Sequence, residues 1–289
     1  MKSRIISSLI IGSVAMLAVS SAQAFTLQNY KAPSLADSTL QGNGTWMVNT
    51  LLAGNSDITL VPGSVNYIGA YQNQGGITSD GNIVLSTGAF QTHTPGKVAA
   101  PNGQSSGTGG NAGLAGLIGA ATNQTFDQNV LTFQFTVNDP SIDSIAMSFV
   151  FASDEFLNLA GSRNNDVFAF WVDGVNYAFL PDGSVVSVKN IGENWIDGTD
   201  YGYKGRTEEI SITALLDPAR DVHTITIAIA DAAYATARDS TVFLGSFAGK
   251  NSNAANPTIP AIPEPETWAM LLAGLGIVGV TTKSRRRMK

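Results

Sequence analysis

The chain has 289 residues, 44% of them hydrophobic and 13% charged, with a net charge of −6 and no cysteine. The lack of thiols excludes a disulfide framework, a cysteine nucleophile and any Cys-ligated zinc or iron–sulfur centre. The acidic balance excludes the basic footprint of a nucleic-acid binder.

Residues 1–24 begin with Lys2 and Arg4, run through apolar Ile5–Val19 and close on Ser21-Ala22-Gln23-Ala24. A basic start, an apolar stretch and an A-x-A site in that order make a secretory signal peptide, with Phe25 as the expected mature N-terminus. Residues 25–249 are then one body, long enough to bury a core without covalent staples. Trp46, Met47, Val48, Leu51 and Leu52 predict a short amphipathic helix ending near Gly54. Ile58–Val61, Tyr67–Tyr71 and Ile83–Leu85 predict short strands, with turns at Pro62-Gly63 and Gly81-Asn82. Residues 93–113 are a long Gly/Ser/Thr/Asn/Pro loop, followed by a brief helical turn at Leu114, Leu117 and Ile118.

The clearest alternation sets Leu131, Phe133, Phe135 and Val137 against Thr132, Gln134 and Thr136, a half-buried strand. The stretch 144–174 carries two more strands, one on Ile145, Met147, Phe149 and Phe151, the other on Val167–Val172. Val185-Val186 with Val188, then Ile210 and Ile212, Ile225–Ile229 and Val242–Leu244, complete the set. Many short strands with turns between them and no long helix predict an all-β protein, a jelly-roll-like β-sandwich with a short N-terminal helix.

Residues 250–262 form a polar linker broken by prolines. Pro263-Glu264-Pro265 follows, then an apolar run at 268–282 and the basic end Lys283–Lys289. As a helix the run would span roughly 22 Å at ~1.5 Å per residue, short against a hydrocarbon core of about 30 Å. The arginines at 285–287 would hold its end on the cytoplasmic side. Without these two ends, nine basic and twenty acidic residues remain, so the body carries a charge near −11.

Two His residues, His93 and His223, and no H-E-x-x-H, G-x-S-x-G or P-loop leave little for a His-based triad, a zinc hydrolase or a nucleotide enzyme. The carboxylates carry more. Asp154, Glu155, Asn165 and Asp166 crowd one loop, and Asp231 ends a strand a sandwich can bring near it. Oxygen donors of this kind suit calcium, although no EF-hand spacing is present. The same residues also suit a polar network of turns and caps, with Arg163 and Arg238 as partners. Trp195, Tyr201 and Tyr203 suit either stacking on sugars or covering a core edge.

The tail resembles the PEP-CTERM sorting signal: Pro263-Glu264-Pro265, a short apolar span and a basic end, in order. The resemblance implies export through the secretion translocon, a transient inner-membrane stage at 268–282, and processing by an exosortase-type transpeptidase. A plain membrane anchor is the other reading of the same tail. The body resembles the choice-of-anchor L domain of bacterial surface proteins. The residues that carry this are Gly81–Gly88, Phe126-Asp127 with Leu131–Phe135, Phe149–Phe156, Asn165–Phe170, Ile229-Ala230-Asp231 and Asp239–Leu244. That family implies a surface setting and no fixed ligand. The expectation is a non-catalytic adhesive or biofilm component associated with exopolysaccharide. The alternative is a surface glycoside hydrolase working with two carboxylates.

Overall fold

Alternation decides which side of each strand meets the core, because successive side chains point to opposite faces. In the computed structural model, which describes residues 44–69, 75–77, 82–88, 107–155, 164–192, 194–232 and 239–252, the alternating runs become two antiparallel sheets. The strands are β1 (Ile58–Leu60), β2 (Asn66–Ile68), β3 (Gly75–Ile77), β4 (Ile83–Ser86), β5 (Thr125–Val137), β6 (Ser144–Ser153), β7 (Val167–Val172), β8 (Val175–Asn176), β9 (Ile196–Asp197), β10 (Gly205–Arg206), β11 (Ile210–Leu215), β12 (His223–Ala232) and β13 (Ser240–Lys250). Among the described residues one sheet runs β1-β5-β12-β7-β8, with β2 also on β5. The other runs β3-β4-β13-β6-β10-β9, with β11 also on β6.

The inward rows of the long strands meet between the sheets. Leu131, Phe133 and Phe135 of β5, Phe168 and Phe170 of β7, and Ile225, Ile227 and Ile229 of β12 pack against Met147, Phe149 and Phe151 of β6 and Val242 and Leu244 of β13. Phe149 and Phe168 touch across the layers with ring centroids 4.9 Å apart. The predicted N-terminal helix is present as α1 (Gly44–Leu51), and Met47, Val48 and Leu51 are its buried face.

Each sheet also has a covered outer face. Small residues Ala169, Ala228 and Ala230 let α2 (Ala112–Leu117) lie close over the first sheet, with Leu114 buried against them. Asn111 starts this helix by accepting the Leu114 amide at 2.9 Å. Over the second sheet, Tyr201 and Tyr203 pack on Val84, Val150, Ala152 and Phe243.

The predicted strand from Val185 is not formed. Ser187 caps a single helical turn, α3 (Val188–Ile191), through the Asn190 amide. Only isolated bridges at Val185 and Ser187 remain. A capping Ser in the run overrides the β-branched signal. The signal peptide, most of the 93–113 loop and the sorting tail lie outside the described residues. Among those described, no helix is long and apolar enough to cross a membrane.

Candidate functional site

At one end of the sandwich the inward rows change chemistry together. One step beyond the last apolar residue, β4 is followed by Thr87, β5 gives Asn129, β6 gives Ser153, β7 is preceded by Asp166, β12 gives Asp231 and β13 begins on Ser240. The antiparallel register brings all six to the same end. Ser240 Oγ donates to Asp166 Oδ2 at 2.6 Å and lies 2.9 Å from Ser153 Oγ, and Asn129 Nδ2 donates to the Ser86 carbonyl at 3.1 Å. The Ser240–Asp166 and Asn129–Ser86 links tie one sheet to the other. The core is therefore closed here by a polar layer that water does not reach.

Two carboxylates dominate this layer. Asp166 accepts the Ala232 amide at 3.1 Å on Oδ1 and the Ser240 hydroxyl on Oδ2. Burial pushes its carboxyl up to about 7, against the pull of the Ser240 and Ala232 hydrogen bonds. Asp231 is fully buried, and neither of its oxygens is satisfied by a hydrogen bond of good geometry. Its carboxyl is pushed well above the carboxylate range by burial first and by the Asp166 charge second. The Thr87 hydroxyl, which also bonds the Ser240 carbonyl at 3.3 Å, pulls the other way.

Two further acids crowd the pair. Opposite Ile229–Asp231 the register of β5 slips by one residue, a bulge holding Asp127 at φ 50. Positive φ is unusual for a residue with a side chain, and bulges re-aim side chains. Asp127 is buried, takes the Gly107 amide on Oδ1 at 2.9 Å, and its charge is felt by both Asp166 and Asp231. Asp239 is buried against Gly88, where an added Cβ would lie 2.0 Å from the carboxylate. Only glycine fits there.

The residues singled out from sequence are divided by this geometry. Asp166 and Asp231 stand together in the inner layer. Asp154 is buried but follows the outward row of β6, and its Oδ1 accepts the Lys204 amide at 3.2 Å. Glu155 is buried beside it, its amide donating to Ser153 Oγ at 2.9 Å. Asn165 turns away, its Oδ1 accepting the Lys189 amide of α3 at 2.9 Å. Among the described residues, no three acidic or histidine side chains already converge as metal ligands. Sequence reasoning missed Thr87, Asp127, Asn129, Ser153 and Ser240 at this end. For four of them the signal was one step of the period-2 count past Leu85, Leu131, Phe151 and Val242. His223 is a satisfied buried group, with Nδ1 2.7 Å from Asp173 Oδ2.

The aromatic loop splits as well. Tyr203 hydrogen-bonds Thr241 through its hydroxyl, and Tyr201 lies under the Arg206 guanidinium at 4.9 Å, so both cover the sheet. Trp195 is buried too, 9% exposed with its ring centroid 6.1 Å from that of Phe151 in the core, and what it exposes borders an open groove of about 610 Å³. Its walls include Leu180, Pro181 and Ile210, with the polar groups of Asp182, Asn194 and Glu208 at hand.

The choice-of-anchor L domain model matches residues 21–248, most of the chain. The chain belongs to the choice-of-anchor L domain family. A PEP-CTERM protein-sorting motif matches residues 261–287, spanning Pro263-Glu264-Pro265 and the basic end. This choice-of-anchor L protein is thus exported and sorted to the surface by its C-terminal signal. No curated protein matches it. Among solved structures, it is similar to a non-crystalline cellulose specific carbohydrate-binding module at 13% identity, covering 67% of this chain and 96% of that one, with a TM-score of 0.29. A carbohydrate-binding module with specific mannan recognition aligns at 9% identity over 66% of this chain and 96% of its own, with a TM-score of 0.23.

Proposed function

We propose that this choice-of-anchor L protein is a non-catalytic surface module that holds neutral exopolysaccharide in the Trp195 groove. The groove is the observation that carries the reading. A hexose has apolar C–H faces and a rim of hydroxyls. Groove walls of Leu180, Pro181 and Ile210 beside the largely buried Trp195, with the exposed groups of Asp182, Asn194 and Glu208 nearby, offer the matching apolar floor and polar rim. A body charge near −11 disfavours an anionic polymer.

Against the hydrolase alternative stands the position of its acids. A glycosidase needs two carboxyls flanking the scissile bond, in reach of a polymer. Asp154, Glu155 and Asp166 are each 0% exposed. The remaining parts of the reading follow the sorting signal: passage through the translocon, a transient inner-membrane stage at 268–282, and cutting by an exosortase-type enzyme.

Affinity electrophoresis of the full chain in gels containing neutral polysaccharides tests this. Saturable retardation without release of reducing ends is expected, reduced at least tenfold by Glu208→Gln with Asn194→Ala. Both positions are exposed, so their loss leaves the fold intact. Unchanged retardation in that double variant, or polymer cleavage that survives it, would refute the groove reading.

A further inference from the structure

Asp231 ends the inward row of β12 fully buried, its oxygens unsatisfied by any well-formed hydrogen bond, with the Thr87 hydroxyl and the Asp166 carboxyl as its near polar neighbours. A carboxylate in that condition requires either a proton or a counter-charge, because burying it bare is the costliest choice. What surrounds it adds negative charge: Asp166, then Asp239 and Asp127. Among the described residues no ion pair reaches Asp166 or Asp231; Arg206 pairs with Asp200, Arg220 with Asp217 and His223 with Asp173. The bulge at Asp127 adds a further buried acid whose charge bears on both carboxyls.

We propose that this inner end of the sandwich binds calcium, with Asp231 and Asp166 as its carboxylate ligands and the charge of the nearby Asp127 at the β5 bulge adding to the site. The donors are all hard oxygens, with no thiol or imidazole in the layer, which selects calcium or magnesium over transition metals. Irregular geometry at a bulge suits calcium, which takes six to eight oxygens flexibly, better than magnesium, which demands a near-ideal octahedron. Hydroxyls, backbone carbonyls and water complete the shell, since three acids do not yet converge in the described residues. The site therefore lies at the strand ends inside the sandwich. It does not lie in the loop of Asp154 and Asn165, whose side-chain oxygens accept the Lys204 and Lys189 amides. Its role is to close the polar end of a core that has no disulfide to brace it.

Calorimetric titration of the full chain with calcium chloride, and melting in calcium and in EGTA at pH 8, test the proposal. Saturable uptake is expected, with a melting rise of roughly 5–10 °C at a hundredfold excess over Kd. Asp231→Asn should abolish uptake and reverse sign between conditions. In EGTA it melts above the wild type, because a bare buried charge is gone; in calcium it melts below. Should Asp231→Asn fail to fold, Asp166→Asn is read in the same way. Equal wild-type melting in calcium and EGTA overturns the proposal. So does calcium uptake retained by Asp231→Asn, which would put the ion elsewhere, and so does an equal response to magnesium.

Discussion

Acid should stabilise the calcium-free protein across a pH range where most proteins are indifferent or lose stability. Asp166 is raised to about 7 from 3.8, chiefly by burial. In the unfolded chain it titrates near the ordinary value, so between pH 4 and 7 the folded state holds the extra proton. Stability then falls as pH rises through that window, with a slope set by the difference in bound protons. For this one group, moving from pH 8 to pH 5 adds about 3 kcal/mol, at about 1.4 kcal/mol for each pH unit once the folded group is protonated and until the unfolded one is as well. Asp231 is displaced in the same direction and adds with the same sign. Opposing it are Asp139, Asp143, Asp182, Asp197 and Asp217, whose carboxyls are held low by hydrogen bonds. Their contribution is lost only as pH falls below about 4, so it does not enter this range. Urea unfolding of the full chain in EGTA at pH 5 and pH 8 reads the difference directly. Greater stability at pH 5, by an amount that Asp166→Asn removes, is the expected result. Equal stability at both values, or less at pH 5, would show that this carboxyl is solvated or paired and would sink the reasoning about the inner layer.

Other consequences are simpler to read. Gly88→Ala should destabilise by about 2 kcal/mol or more, because its Cβ falls on the buried Asp239 carboxylate and a close-packed interior has no room to give; a neutral change in thermal melting would contradict that packing. Mass spectrometry of surface material should recover no peptide from Trp268 onward. Intact tail as the only form, found in the inner membrane, would make the tail a plain anchor.

Much of the sandwich was legible because its long strands obey one rule. Leu131, Phe133 and Phe135 alternate with polar residues, and Ile225, Ile227 and Ile229 do the same. These two runs are the paired centre of the first sheet. The run at Val185–Val188 obeyed the composition rule for a strand and failed, since Ser187 offered its hydroxyl to a helical turn. The site was half legible. Asp166 and Asp231 could be picked out as acids near strand ends, and the same period that revealed the core leads to them. Asp127 lies two steps past Leu131 on the same count, but the slip of register there is not legible in the sequence. Nor does the sequence reveal that Asn165 serves α3 while its neighbour Asp166 serves the core, since one residue along an extended chain reverses the face.

The functional claim meets its most direct test in the producing cell. The proportion of mature protein retained in the exopolysaccharide matrix, against that free in the medium, should be measured for the wild type and for Glu208→Gln with Asn194→Ala, with the sorting signal intact in both. The account predicts that the wild type stays with the polymer and the double variant is released. Equal partitioning of the two would contradict it.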